Sequence, residues 1–232
     1  MAEYLLIRFD RADGDDAATY MACNESGEVV QAPRRGTLAE AAAQAGSRKP
    51  VGLLPASDVV TLDAELPARA GAKLLQAVPY ALEEQVAEDI DDLHFAIGAR
   101  AADGRTPVAV VSRAVMQAID DACVAAGLSL QSLHAESALI APPTGQVLVA
   151  LDGEEMLVCR PAARAVSLPS RTLAESLALA LDGVATGSLG LLVLASPADW
   201  QVHGPALEAL SSQFAGFKAQ LLPQGPLPWL AP

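Results

Sequence analysis

The 232-residue sequence has few cations, few aromatic residues and only three cysteines. Cys23, Cys123 and Cys159 are far apart, are odd in number and form no C-x-x-C pair, which indicates a reducing compartment and argues against a disulfide framework or a cysteine zinc site. Lys and Arg total 15 against 28 Asp and Glu, so the formal net charge is −13. Because an acidic chain repels phosphate backbones, the composition argues against nucleic-acid binding.

The sequence also lacks the motifs that carry the commonest chemistries. Neither the phosphate-binding patterns G-x-x-x-x-G-K-[ST] and G-x-G-x-x-G nor the hydrolase pattern G-x-S-x-G occurs. The three histidines stand alone, without metal-ligand spacing. Asp152, Glu154 and Glu155 form one carboxylate cluster, but neighbouring turn residues rarely converge on one cation. The sequence therefore predicts no catalytic residue, no metal site and no cofactor.

No apolar run is long enough to cross a membrane, although hydrophobic residues make up 52% of the chain and the mean hydropathy is +0.30. The most apolar window, 173–195, is interrupted by Glu175, Asp182 and several glycines. A bilayer span needs about 20 apolar residues in succession. The window is therefore interpreted as a buried helix followed by a buried strand. The N-terminus has no basic segment and no small-residue cleavage site, so no export signal is expected.

Two parts of the chain have the same order of predicted elements, three strands, a helix and a strand. In the first part, strands near 4–9, 18–23 and 29–31 precede a helix over 37–46, in which Thr37 and Glu40 have the spacing of a capping box, and a strand over 51–54 follows. In the second part, strands near 146–151, 156–159 and 163–168 precede a helix over 170–181 and a strand over 189–195. This pattern predicts two related α/β units.

A different unit is predicted between them. Strands over 93–97 and 107–111 precede a helix that Ser112 caps and Gly127 ends, and a strand over 129–133 follows. This β-β-α-β unit is interpreted as an insertion. The predicted domains are therefore 1–92, 93–142 and 143–232.

An uncompensated acidic stretch precedes the inserted unit. Apolar residues from Leu74 to Val86 recur at helical spacing, and the helix is expected to run from Arg69 to about Glu88, with a kink or a new start at Pro79. No Lys or Arg occurs from 76 to 98, so six carboxylates within 83–92 have no local partner. A solvated face and a docking surface for a basic partner both explain this pattern.

Residues 74–89 (LLQAVPYALEEQVAED) and the following D-L-H-F-A at 92–96 resemble the most recognisable stretch of the type II secretion system protein L family (GspL). The segments 53–59, 65–67 and 221–225 agree with that family in order, so the resemblance spans essentially the whole chain. It implies an actin-like (RNase H-like) cytoplasmic domain with two related mixed-sheet subdomains and a small third one. Full-length relatives continue into one transmembrane helix and a periplasmic domain, which implies a position at the cytoplasmic face of the bacterial inner membrane. The proline-rich end, 226–232, is expected to cap nothing.

The resemblance implies a non-catalytic scaffold that recruits the secretion ATPase, protein E, by binding its N-terminal domain. Protein M and other platform proteins are the implied membrane-side partners, and a homodimer is a further possibility. We expect the inserted unit and the acidic stretch before it to form the ATPase-docking surface. The candidate partner-binding residues are Glu84, Glu88, Asp91, Asp92, Asp120 and Asp121.

The alternative is an actin-like ATP-binding protein or ATPase related to type IV pilus or cell-division proteins. Sites of that kind present two Asp-x-Gly hairpins to the phosphates and a Gly-Gly step beneath the adenosine. Here the first hairpin begins Phe9-Asp10-Arg11-Ala12, the second has Glu154 and Glu155 after Gly153, and 194–197 read Leu-Ala-Ser-Pro. Carboxylates beside phosphates repel them, so the sequence argues against nucleotide turnover.

Overall fold

The computed structural model describes residues 3–10, 14, 16–65, 72–101 and 104–231. The strands within these residues are β1 (Glu3–Phe9), β2 (Ala17–Asn24), β3 (Val29–Thr37), β4 (Lys49–Leu54), β5 (Val60–Ala64), β6 (Leu93–Ile97), β7 (Thr106–Ser112), β8 (Ser132–Ala135), β9 (Gln146–Asp152), β10 (Glu155–Cys159), β11 (Val166–Pro169), β12 (Gly190–Ala195) and β13 (Gly216–Leu221). The helices are α1 (Leu38–Ala45), α2 (Ala72–Leu82), α3 (Arg113–Ala126), α4 (Leu173–Ala180) and α5 (Pro197–Leu210).

Two five-stranded mixed sheets have the same topology. Their strand orders are β3-β2-β1-β4-β8 and β11-β10-β9-β12-β13. In each sheet the first strand of the repeat pairs antiparallel with the second strand and parallel with the strand that follows the first helix. The two predicted α/β units are therefore confirmed. We call the first sheet with α1 and α3 the first lobe, and the second sheet with α4 and α5 the second lobe.

The two sheets pack face to face, with the helices on their outer faces. Side chains alternate along β1, so Leu5 and Ile7 pack under α1 and α3 while Leu6 points to the other sheet. Leu6 joins Leu53 of the first lobe and Leu148 and Leu194 of the second in one buried cluster. Both faces of each sheet are thus apolar, which explains strands that read as continuous hydrophobic runs.

The predicted helix caps are present in the structure. The Thr37 hydroxyl accepts a hydrogen bond from the Glu40 amide at 3.2 Å, and the Glu40 carboxylate accepts one from the Thr37 amide at 2.9 Å. Ser112 caps α3, and Gly127 ends it with a positive φ of 64°. The capping box and both ends of α3 are thus confirmed. The sequence could predict them because each depends only on residues close in sequence.

The inserted β-β-α-β unit expected over 93–142 does not form as one sheet. The small sheet has the order β5-β7-β6, so it takes β5 from the segment assigned to the first domain. The helix and last strand of the expected unit belong to the first lobe, since β8 pairs parallel with β4 and the apolar side of α3, with Ile119 and Cys123, packs on Leu5 and Ile7. Parallel pairing joins strands that are distant in sequence, and no local pattern reveals it.

The helix that leads into the acidic stretch is shorter than expected. The predicted start at Arg69 lies outside the described residues, and α2 ends at Leu82 with Pro79 inside it. Val78 and Leu82 are fully buried against the small sheet, as their spacing predicts. The helix ends there because carboxylates are unfavourable beside the negative end of a helix dipole, and Asp89 instead accepts the Asp91 amide at 2.9 Å in a separate turn.

The C-terminal segment does not lie free of the fold, contrary to the expectation that it caps nothing. After β13 it leaves the second lobe and forms a short 3₁₀ turn, Leu227–Trp229, which contacts β2 and β3 of the first lobe. Leu227 and Leu230 are 1% and 2% exposed in the cluster between the two sheets. The segment therefore contributes to the core that both lobes share.

The apolar window over 173–195 divides into α4 and β12, as the sequence predicts. Within the described part of the chain, no helix has the length and hydropathy needed to cross a membrane.

Candidate functional site

A cleft of about 1200 Å³ lies between the two lobes, at the carboxyl ends of their parallel strands. Asp10 follows β1, Pro55 follows β4 and Glu136 follows β8, and all three line it. Asp152, the last residue of β9, lines it from the second lobe. Loops at the carboxyl ends of parallel strands bind ligands in open α/β sheets, so the fold itself makes this cleft a candidate site.

One arginine occupies the position where these loops meet. Arg8 is on the face of β1 that points to the second lobe, and its side chain is 15% exposed. Its Nε lies 2.6 Å from Oε2 of Glu136 and its Nη1 lies 3.2 Å from Oδ1 of Asp10, both in the first lobe. Its Nη2 lies 2.6 Å from Oδ2 of Asp152 in the second lobe. The guanidinium thus forms ion pairs in both lobes.

Groups other than Arg8 hold two of the three carboxylates in place. Oε1 of Glu136 accepts the Ala56 amide at 2.8 Å, and Oδ2 of Asp10 accepts the Thr19 hydroxyl at 2.7 Å. The side chains of Asp10 and Glu136 are 8% and 11% exposed. Among the described cations, Glu136 therefore depends on Arg8 for charge compensation, whereas Asp10 also has Nε of Arg35 at 3.8 Å.

Burial and the charges within this cluster shift the pKa values of Arg8 and Asp152. Burial by itself lowers the pKa of Arg8, but Glu136, Asp152 and Asp10 outweigh it and raise that pKa above its usual value. Burial raises the pKa of the Asp152 carboxyl. The Arg8 charge opposes that shift, whereas Glu136, Asp199 and Asp10 add to it. Asp152 is therefore charged less readily than a solvated aspartate, despite its short contact with Arg8.

Polar groups in the other loops of the cleft form hydrogen bonds and ion pairs with neighbouring residues of the second lobe. In the second hairpin, the Gly153 amide donates to Oδ1 of Asp199 at 3.2 Å, and Glu154 pairs with Arg171. At the start of α5, the Ser196 hydroxyl accepts the Asp199 amide at 3.0 Å. Within the described part of the chain, no group of His, Cys, Asp and Glu residues has the arrangement of a metal site.

The six candidate partner-binding residues are all exposed. Glu84 and Glu88 follow the end of α2, and Asp91 and Asp92 form the 3₁₀ turn directly before β6. The remaining two, Asp120 and Asp121, are on α3 of the first lobe. Because α2 ends at Leu82, Glu84, Glu88 and Asp91 all lie beyond it, and the helix predicted to reach about Glu88 does not carry them.

A shallow groove of about 380 Å³ lies beside one member of this set, Asp120. Asp120 of α3 and His94 of β6 line it with Arg113, Met116 and Gln117. Because Asp92 precedes β6 by one residue, the acidic turn and the acidic side of α3 flank the same strand. Among the described Lys and Arg residues, none forms an ion pair with Glu84, Glu88, Asp91, Asp92 or Asp120. We call these five residues with Asp121 the acidic edge.

The model of the type II secretion system protein L family matches residues 5–204. The chain belongs to this family. The protein L of Vibrio cholerae is 27% identical over 92% of this chain, and that of Pseudomonas aeruginosa is 33% identical over 63% of it. The chain spans 57% and 36% of the length of these two relatives. The family resemblance of the 74–96 region is thus confirmed.

Solved structures confirm the actin-like fold of this protein L family member. The cytoplasmic domain of EpsL, described as an inner-membrane component of the type II secretion system of V. cholerae, aligns with a TM-score of 0.69, 23% identity and 84% of this chain. The PilM–PilN type IV pilus biogenesis complex aligns at 0.64 over 94% of this chain, with 14% identity. A Bacteroides thetaiotaomicron protein with an actin-like ATPase fold aligns at 0.57 over 98%, with 6% identity. At such identities the likeness concerns the fold alone.

Sequence reasoning about this family member missed Arg8 and Glu136. A signal for Arg8 exists, since it is a charged residue on the same face as Leu6 within a segment, 4–9, that is otherwise apolar. Glu136 gives no comparable signal, because it follows a short strand whose place in the first sheet is not apparent from sequence. The sequence places Asp152 in a carboxylate cluster with Glu154 and Glu155 and in the second hairpin of the nucleotide-site comparison, whereas its contact with Arg8 depends on how the lobes pack.

Proposed function

We propose that this chain is a non-catalytic scaffold at the cytoplasmic face of the bacterial inner membrane, which recruits the type II secretion ATPase, protein E, by binding its N-terminal domain. Membership of the protein L family over residues 5–204 is the observation that carries this proposal. Protein M and other platform proteins, together with a possible second copy of the chain, are the further partners that it implies.

The acidic edge is the surface that we assign to the ATPase. Its carboxylates are exposed. No described Lys or Arg forms an ion pair with Glu84, Glu88, Asp91, Asp92 or Asp120. Charges of one sign that the protein leaves uncompensated attract a basic partner and orient its approach. Glu84, Glu88 and Asp91 act as the steering charges, while Asp92, Asp120 and Asp121 border β6 and the groove beside it.

Reversing the charge of the acidic edge should weaken ATPase binding. We expect the triple variant Glu84→Lys, Glu88→Lys and Asp91→Lys to lower the affinity for the N-terminal domain of protein E by about tenfold at low salt, and by less at high salt, because exposed charges are screened. Isothermal titration calorimetry at two salt concentrations measures both quantities.

A matched control variant distinguishes an effect of these particular residues from an effect of the protein's net charge. Glu175, Asp182 and Glu208 are exposed acids in the second lobe, and their reversal to Lys changes the net charge by the same six units. This control variant should bind as the wild type does. Equal losses in the two variants, or an unchanged affinity of the first, would exclude the acidic edge as the docking surface.

An actin-like ATP-binding protein or ATPase is the second candidate, favoured by the fold and by the cleft of about 1200 Å³. A specific nucleotide at about 100 times its dissociation constant stabilises a protein by about 2.7 kcal/mol. We expect Mg-ATP to leave the melting temperature unchanged relative to Mg²⁺ alone and to ATP with EDTA. A saturable shift in a thermal denaturation assay would favour the nucleotide-binding alternative over a scaffold without nucleotide.

A further inference from the structure

We propose that Tyr80 is the aromatic anchor of the docking surface that includes the acidic edge, and that its ring receives a cationic side chain of the partner. Tyr80 is on α2, and Glu83 and Glu84 follow it by three and four residues in the turn after that helix. Tyr80 has this role only if the proposed function holds, because it serves the same surface and the same basic partner.

Tyr80 is exposed to an extent that no other aromatic residue of the chain reaches. The chain has four Phe, three Tyr and two Trp residues, and all of them lie within the described part. Tyr80 is 72% exposed, whereas each of the others is half-buried or buried. Burial of an aromatic ring stabilises a fold, so a chain with few such rings loses that contribution at Tyr80. Tyrosine is also enriched among the residues that dominate the binding energy of protein interfaces.

The exposed side of α2 is uncharged as far as the structure describes it. Its exposed residues are Gln76, Ala77, Tyr80 and Ala81. Val78 and Leu82 bury the other side of the helix against the small sheet. A helix that only covers a core usually presents charged residues to water, whereas this one presents a single large ring among small neighbours. An uncharged patch with one aromatic side chain is typical of the centre of a protein interface.

The charges beside this patch favour a cationic partner. Glu83, Glu84 and Glu88 are exposed, and no described Lys or Arg forms an ion pair with them. The face of an aromatic ring attracts a cation, and neighbouring carboxylates add to that attraction. A guanidinium or ammonium group can therefore contact the ring of Tyr80 while a carboxylate compensates its charge. A second copy of the chain is disfavoured here, because it would bring the same carboxylates against these.

Truncation of the ring should weaken partner binding without destabilising the fold. We expect Tyr80→Ala to lower the affinity for the N-terminal domain of protein E by about 10- to 30-fold, as for an interface residue that dominates binding. The melting temperature should stay close to that of the wild type, because the side chain is exposed. Isothermal titration calorimetry at two salt concentrations measures the affinity. The loss should persist at high salt better than that of the triple lysine variant, since salt screens a ring contact less than exposed charges.

Three further variants identify the contact. Tyr80→Phe keeps the ring and should bind within about twofold of the wild type. Tyr80→Leu keeps an apolar side chain without a ring and should lose most of the affinity that Tyr80→Ala loses. Val202→Ala truncates a residue of the second lobe that is also 72% exposed, and it should leave the affinity unchanged.

The outcomes separate this role of Tyr80 from the proposed function. If Tyr80→Ala binds as the wild type does while the triple lysine variant binds more weakly, the anchor is excluded and the acidic edge remains the docking surface. If Tyr80→Leu binds as the wild type does, the contact of a ring with a cation is excluded. A wild type that does not bind the N-terminal domain of protein E would overturn the proposed function and, with it, the role of Tyr80.

Discussion

Arg8→Met should lower the free energy of unfolding by about 3–5 kcal/mol at neutral pH, which is the range for breaking a buried ion pair from one side. The loss is large because Glu136 is 11% exposed and keeps its negative charge with no other described Lys or Arg beside it, while Asp10, 8% exposed, retains only the longer contact with Nε of Arg35 at 3.8 Å. Methionine retains most of the aliphatic length, so the effect reports the charge rather than a cavity. Urea denaturation followed by circular dichroism measures it.

Two comparisons test the physical reason for that loss. Arg48 forms a more exposed pair with Glu3 at 2.8 Å, and Arg48→Met should cost at most about 1 kcal/mol because solvent screens the pair. The double variant Arg8→Met with Glu136→Met removes one buried charge along with its partner and should recover part of the stability. A loss of similar size in Arg8→Met and Arg48→Met would contradict the role of burial.

Leu227→Ala should lower the free energy of unfolding by about 2–5 kcal/mol, the range for truncating a buried leucine. Leu227 is 1% exposed and packs between the sheets with Leu230, at the point where the C-terminal segment reaches the first lobe. The cavity left behind would lie between the lobes, where two rigid sheets cannot close around it. Thermal and urea unfolding of the variant measure the loss.

Leu221 provides the matched control for this second effect. It is six residues earlier, at the end of β13, and is 46% exposed. Leu221→Ala should therefore change the stability much less than Leu227→Ala, because little apolar area returns to water. Comparable losses at the two positions would indicate that the C-terminal segment does not contribute to the shared core.

Both effects concern the same junction between the lobes. The Arg8 cluster joins them at the carboxyl ends of the strands, and the C-terminal segment passes from the second lobe onto β2 and β3 of the first. A third contact joins the small sheet to the second lobe, where Nη2 of Arg164 lies 2.6 Å from Oδ1 of Asp63. Contacts of this kind keep the acidic edge in a constant position relative to the C-terminal segment.

The sequence determined the features that depend on near neighbours. The capping box of Thr37 and Glu40, the ends of α3 and the buried face of α2 at Val78 and Leu82 follow from spacings of three or four residues. The repeated order of strands and helices, with the family motif over 74–96, was sufficient for the fold class. These signals are local, and the structure retains them because the tertiary packing is consistent with them.

Only the tertiary structure decided which distant elements meet. Pairing of β4 with β8 placed the last strand of the expected insertion in the first lobe. The contact between Arg8 and Asp152 joins residues 144 positions apart, and no periodicity links them. The sequence thus specified two units and an acidic stretch. The packing of the two units placed the guanidinium of Arg8 in the cleft between them.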